Sequence, residues 1–145
     1  MIENLARLIV HSVLEAQIGP NWWSIAVAPR IQTKAEERVA TYARRPWYSS
    51  PGTHDIYFTF LSELVEIMRA NANLFVKVIP DIDQWIARLE LVRVPRNVAG
   101  HMNWVSKIDR KRVDVTYSDM CALVGHLAGA GVAILIPQAA ARREA

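Results

Sequence analysis

Apolar residues recur at intervals of three and four along the first segment, with Ile2, Leu5, Ile9, Val13 and Leu14 separated by Glu3, Arg7 and Glu15, which is the pattern of an amphipathic helix. Gly19-Pro20 should stop it, because Gly accepts the left-handed cap conformation and Pro cannot continue the hydrogen-bond ladder. Asn21-Trp22-Trp23 follows as an aromatic plug. Adjacent tryptophans after a helix stop either fill a core or stack on bases, and the core is the default. Residues 31–44 are rich in Ala, Glu, Lys and Arg and poor in large apolar side chains, so propensity rather than burial predicts a peripheral helix there.

Two prolines and a Ser/Gly cluster between Arg45 and Gly52 read as a loop. Helical spacing returns at Phe60, Leu61, Leu64, Val65 and Met68, with Thr59 as the expected N-cap. Residues 73–79 read as a short continuation. Pro80-Asp81 then opens a helix whose stripe is Ile82, Trp85, Ile86, Leu89 and Val92. Pro95 should end it, since the residue before a proline is pushed away from helical geometry; a kinked continuous helix is the alternative. Residues 96–103 then start a further helix, and Lys107, Arg110, Lys111 and Arg112 form a polar loop. Val113 to Thr116 has strand-like composition but no partner strand, and is expected as extended loop. Ser118 or Asp119 caps the last helix, with Met120, Leu123, Val124 and Leu127 on its inner face and Pro137 at its end. These elements predict an all-α antiparallel bundle of about five helices, one domain over 1–136, with a mobile tail at 137–145.

Composition narrows the functional classes. A chain of 145 residues, 52% hydrophobic, can bury one ordinary core. Of its 17 basic residues 13 are arginine, the side chain suited to bidentate contact with phosphate or carboxylate, so an anionic partner is admitted. Cys121 is the one cysteine and cannot form an internal disulfide, which fits a reducing compartment, the cytoplasm by default. The start of the chain lacks the order of a secretory signal, and the apolar stretch from Ala122 to Ile136, broken by His126, is read as a buried helix, too short to span a bilayer. No membrane association is expected. His11, His54 and His126 sit on separate segments without a common acidic or cysteine partner, and are assigned no role; no metal or other cofactor is expected.

The candidate chemistry lies in Val92-Arg93-Val94-Pro95-Arg96-Asn97-Val98-Ala99-Gly100-His101, whose centre reads Arg-Asn-x-x-x-His. With Pro95 as first helical residue, Arg96 and Asn97 occupy a first turn, where free N–H groups and the dipole favour an anion. On an ideal helix His101 lies about 7.5 Å further along and about 140° around from Arg96. One copy therefore offers part of a cleft, and a second copy on a two-fold axis would complete it. RNA carries its own nucleophile, the 2′-hydroxyl. A histidine that takes its proton and an arginine that stabilises the charge growing on phosphorus suffice for cleavage without a metal, and DNA lacks the attacking group. In this scheme His101 is the base or acid, Arg96 the charge stabiliser and Asn97 the orienting group. Arg93 and the basic run Lys107, Arg110, Lys111 and Arg112 are candidates for gripping the RNA backbone.

Arg-Asn-x-x-x-His near the start of a late helix in a small helical bundle resembles the HEPN superfamily. Gly19-Pro20-Asn21-Trp22-Trp23 is similar to the Gly-x-x-Trp-Trp signature of one of its branches, and Tyr57-Phe58-Thr59-Phe60-Leu61 to its middle region. The resemblance implies a dimeric, metal-independent endoribonuclease that acts as a toxin or antiphage effector, with the site across a homodimer interface and an antitoxin or a sensor/activator protein as further partner. Two departures stand out. Gly100 before His101 weakens a helix by about 1 kcal/mol relative to Ala. The tyrosine modified in members controlled by a nucleotidyltransferase is absent after His101, where Met102-Asn103-Trp104 stands, and Tyr117 is remote.

Each residue also has a plainer role. Arg93 and Arg96 can be solvated charges, with Arg93 paired to Glu90, Asn97 a cap, and His101 a half-buried histidine bonded to a carbonyl. A non-catalytic HEPN module that binds nucleotide or RNA, or dimerises within a larger defence complex, is the rival to the enzyme, and a purely structural bundle is the third possibility.

Overall fold

The computed structural model describes residues 2–47, 50–100 and 106–136, and for 94–100 the helical backbone alone. Among the described residues the chain is an all-α bundle of seven α-helices and one short 3-10 turn, without strands. Helix α1 (Ile2–Ile18) is the centre of the bundle. Its inner face buries Ala6, Ile9, Val10, Val13 and Leu14, as the spacing predicts. Gly19 ends it with φ 111° and gives its N–H to the Glu15 carbonyl at 2.9 Å; a side chain at that φ would be strained.

Helix α2 (Trp22–Ala26) is one turn that drives Trp22 into the core, where it is fully buried. Burying a large apolar side chain contributes about 1.5–3 kcal/mol, which accounts for so short a helix holding its place. Helix α3 (Pro29–Ala43) has Pro29 in its first turn and buries Ile31 and Ala35, leaving most of its surface in water. The 3-10 turn (Asp55–Phe58) follows the Pro-rich loop, then α4 (Leu61–Ala70) and the single turn α5 (Ala72–Phe75). Helix α6 (Ile82–Gly100) buries Ile82, Trp85, Ile86, Leu89 and Val92, the stripe expected from its spacing. Helix α7 (Lys107–Gly129) buries Thr116, Met120 and Leu127. Helices α1, α4, α6 and α7 form a closed ring in which each packs on the next, with the 3-10 turn, α2 and α5 filling against α1. Arg88 bonds Asp119 while Leu91 and Val92, later in α6, share a groove with Ile108 and Val115, earlier in α7, so α6 and α7 run antiparallel.

Five local expectations are corrected. Helix α6 does not stop at Pro95 but runs on to Gly100; the proline removes one backbone donor, and the remaining ladder with the buried stripe before it sustains the helix. The last helix starts at Lys107, not at Ser118 or Asp119, because the Ser106 hydroxyl accepts the N–H of Asp109 at 3.0 Å and caps it there. The basic stretch expected as a loop, and 113–116 expected as extended, are its first turns; packing of Val113 and Thr116 on the core outweighs their strand-like composition. Helix α7 ends at Gly129, well before Pro137. Gly131 turns the chain with φ 92° and residues 132–136 run back along α1, where the Leu135 N–H reaches the Ser12 hydroxyl at 3.0 Å. Finally, Phe60 rather than Thr59 precedes α4, its N–H bonded to Glu63 at 2.8 Å. Thr59 is buried with its hydroxyl on the Ile56 carbonyl. The tail 137–145 lies outside the described residues.

Candidate functional site

Arg96 and Asn97 of the Arg-Asn-x-x-x-His string lie in the closing turns of α6 rather than in a first turn. The expected anion site at a helix N-terminus is therefore lost. A helix C-terminus carries the negative end of the dipole and favours cations such as Arg, so phosphate attraction here has to come from side chains. His101 and the side chains of Arg96 and Asn97 lie outside the described residues.

Their surroundings are defined. Arg93 is held by Glu90, Nε to Oε2 at 3.0 Å, in a group with Arg69 at 3.9 Å from the other Glu90 oxygen. Its plainer role is thus occupied. Lys107, Arg110, Lys111 and Arg112 are exposed on the first two turns of α7, and Arg112 bonds Asp109 at 3.0 Å. Lys111 and Arg112 meet Arg88 of α6 on the rim of an open groove of about 350 Å3, floored by Leu91, Ile108 and Val115. These three apolar side chains are more than half exposed. Arg88 is set by Asp119 at 2.6 Å and by the Trp85 ring, 4.6 Å below its guanidinium. The fold thus brings part of the basic run onto the hairpin that carries the motif, with Arg93 held on α6 by Glu90.

A second cluster was not anticipated from the sequence. His11 of α1 and His54 of the loop before the 3-10 turn stand with ring centroids 4.5 Å apart, and Glu15 lies beside His11, its Oε2 3.5 Å from Nε2. On the other edge of His11, Nδ1 lies 3.4 Å from the Tyr57 hydroxyl. With Nε2–H turned to the carboxylate, Nδ1 accepts and the phenol donates. His54 Nδ1 accepts the Ile56 N–H at 3.0 Å and so caps the 3-10 turn. Its ring is stacked on Trp22 at 5.2 Å, 5° from parallel, and edge-on to Trp23. Trp22 Nε1 is buried and meets no acceptor among the described residues.

Burial sets the electrostatics of this cluster. It holds His11 below its usual pKa of 6.5 despite the nearby Glu15. His54 is also lowered, by burial first and by His11 second, against the opposing pull of Asp55 and Glu15. Tyr57 is raised, by burial and by the Glu15 charge. A protonated phenol and two neutral imidazoles are the forms this arrangement favours at neutral pH. The local signal that could have revealed it is His11 and Glu15 four residues apart on one helix face; nothing in the sequence links either to His54.

No group of three or more His, Cys, Asp or Glu side chains among the described residues is arranged to hold a metal ion, and no described helix is long and apolar enough to cross a membrane. Comparison with protein-family models, curated proteins and solved structures returns no match.

Proposed function

We propose that this chain is a metal-independent endoribonuclease of the HEPN type, acting as a homodimer in a toxin or antiphage-defence role in the cytoplasm. The observation that carries the reading is the sequence Arg96-Asn97-x-x-x-His101, with Arg96 and Asn97 in the last turns of α6, together with the exposed Lys107, Arg110, Lys111 and Arg112 on the first turns of α7. In the proposed reaction His101 accepts the 2′-hydroxyl proton, the 2′-oxygen bonds phosphorus, and the bond to the 5′-oxygen breaks with a proton delivered to that leaving group. The products are a 2′,3′-cyclic phosphate and a 5′-hydroxyl. Arg96 stabilises the charge on phosphorus and Asn97 orients it. The basic turns of α7 hold the flanking backbone by charge. The exposed Leu91, Ile108 and Val115 beside the motif offer apolar surface for a second copy to cover.

Those same side chains favour a second reading, a HEPN-like module that binds RNA or nucleotide, or pairs with an antitoxin or sensor protein, without cleaving. Incubation of purified protein with end-labelled RNA and its fully 2′-deoxy counterpart in EDTA separates the two. Cleavage of the RNA alone, leaving cyclic phosphate ends, is the expected result. Tight RNA binding with no cleavage supports the module instead.

A further inference from the structure

Both imidazoles of the half-buried cluster use Nδ1 as an acceptor, and for His54 that role excludes a proton on Nδ1. His11 can take a proton at Nδ1 if the Tyr57 hydroxyl rotates to accept, since a phenol is both donor and acceptor. The donor to His54 is the backbone N–H of Ile56, which cannot reverse. A proton on His54 Nδ1 would face that N–H head-on, and the cap of the 3-10 turn would be lost. The groups facing the pair are few: His11 and Glu15 from α1, Asp55 and Tyr57 from the turn itself, and the uncharged rings of Trp22 and Trp23 from α2. Glu15 is already directed to His11, and a second cation would stand 4.5 Å from the first.

The far end of the turn is tied by two arginines. Arg38 donates to the Phe58 carbonyl at 2.8 Å, and Arg7 donates twice to the Thr59 carbonyl, at 3.2 and 2.5 Å. Opening is thereby confined to the side that His54 caps. There the Tyr57 ring packs against Gly52, where a Cβ would come within 2.2 Å of it, so residues 52–54 move with the turn.

We propose that His54, stacked on Trp22 and paired with His11, is an acid-sensitive latch that holds the Asp55–Phe58 turn and residues 52–54 before it closed at neutral pH and releases them on protonation. The latch stands apart from the proposed ribonuclease site and does not depend on it. Lowered histidine pKa values agree in sign: the open form binds a proton more readily, so acid drives opening.

Hydrogen exchange of the intact protein, corrected for intrinsic rates, tests it at about pH 7 and about pH 4.5. Protection of the Ile56 and Tyr57 amides is expected to fall about tenfold or more in acid while α4 stays protected. His54→Asn, whose side-chain oxygen can take the same N–H without titrating, is expected to keep protection within about threefold. An unchanged turn in acid, an equal loss in His54→Asn, or loss of α4 protection together with the turn would each overturn the latch. The wild-type comparison of turn with α4 decides the matter alone should the variant not fold.

Discussion

His54 lies parallel to Trp22 with ring centroids 5.2 Å apart while its Nδ1 takes the N–H of Ile56 at 3.0 Å. One side chain thus caps a turn and covers the face of a fully buried tryptophan. His54→Ala should remove a cap, about 1 kcal/mol, and an aromatic contact, about 0.5–1.5 kcal/mol. Urea denaturation should show a loss of about 1–3 kcal/mol, with His54→Asn recovering the cap share. A loss no larger than that of an exposed substitution would contradict the assignment.

Stability should also depend on pH. In the folded chain burial holds His11 and His54 below 6.5, whereas in the unfolded chain both titrate at the usual value. The unfolded state therefore binds more protons in acid. The contribution of these groups is complete above pH 6.5 and declines as pH falls below it toward the folded-state values. Urea midpoints should drop from about pH 7.5 to about pH 5.5 in the wild type, and drop less in a variant with His11 and His54 both replaced by Gln. Identical slopes in the two proteins would count against the burial argument.

Gly52 is required by space. A methyl there would meet the Tyr57 ring at 2.2 Å, and Tyr57 is itself buried against His11. Gly52→Ala must displace the ring and should cost about 1–3 kcal/mol. The same change at Gly125, which has nothing within 4 Å, should be neutral or stabilising, as helix propensity dictates. Thermal unfolding of the two variants side by side checks the contrast.

The helices that carry a full apolar stripe were legible from the sequence: Ile9, Val13 and Leu14 in α1, and Ile82 through Val92 in α6, are buried as their spacing indicates. The differences are local. Pro95 reads as a stop with a kinked continuous helix as the alternative, and the helix is continuous, since a proline near the end of a helix costs one hydrogen bond and need not end it. Val113, Val115 and Thr116 have strand-like composition without a partner strand, but Ser106 starts the helix upstream and Thr116 is buried inside it. The placement of Arg96 and Asn97 in a last turn rather than a first follows from the helix running through Pro95. His11 and His54 are brought together by α1 and a loop far apart in the sequence, which no local pattern encodes.

If the basic turns of α7 grip RNA, charge reversal there should act through electrostatics. Lys111→Glu with Arg112→Glu should weaken RNA binding and flatten its salt dependence, while leaving the fold intact, since both side chains are exposed. Affinity measured across a salt series provides the check; unaltered affinity and slope would remove these residues from the interface.

Arg96 and His101 carry the proposed chemistry. Cleavage of labelled RNA in EDTA by the wild type, Arg96→Ala and His101→Ala, each first shown to be folded by circular dichroism, tests it most directly. Metal-independent cleavage by the wild type and a fall of about 10² or more in rate for each variant are expected. Undiminished cleavage by both variants would contradict it.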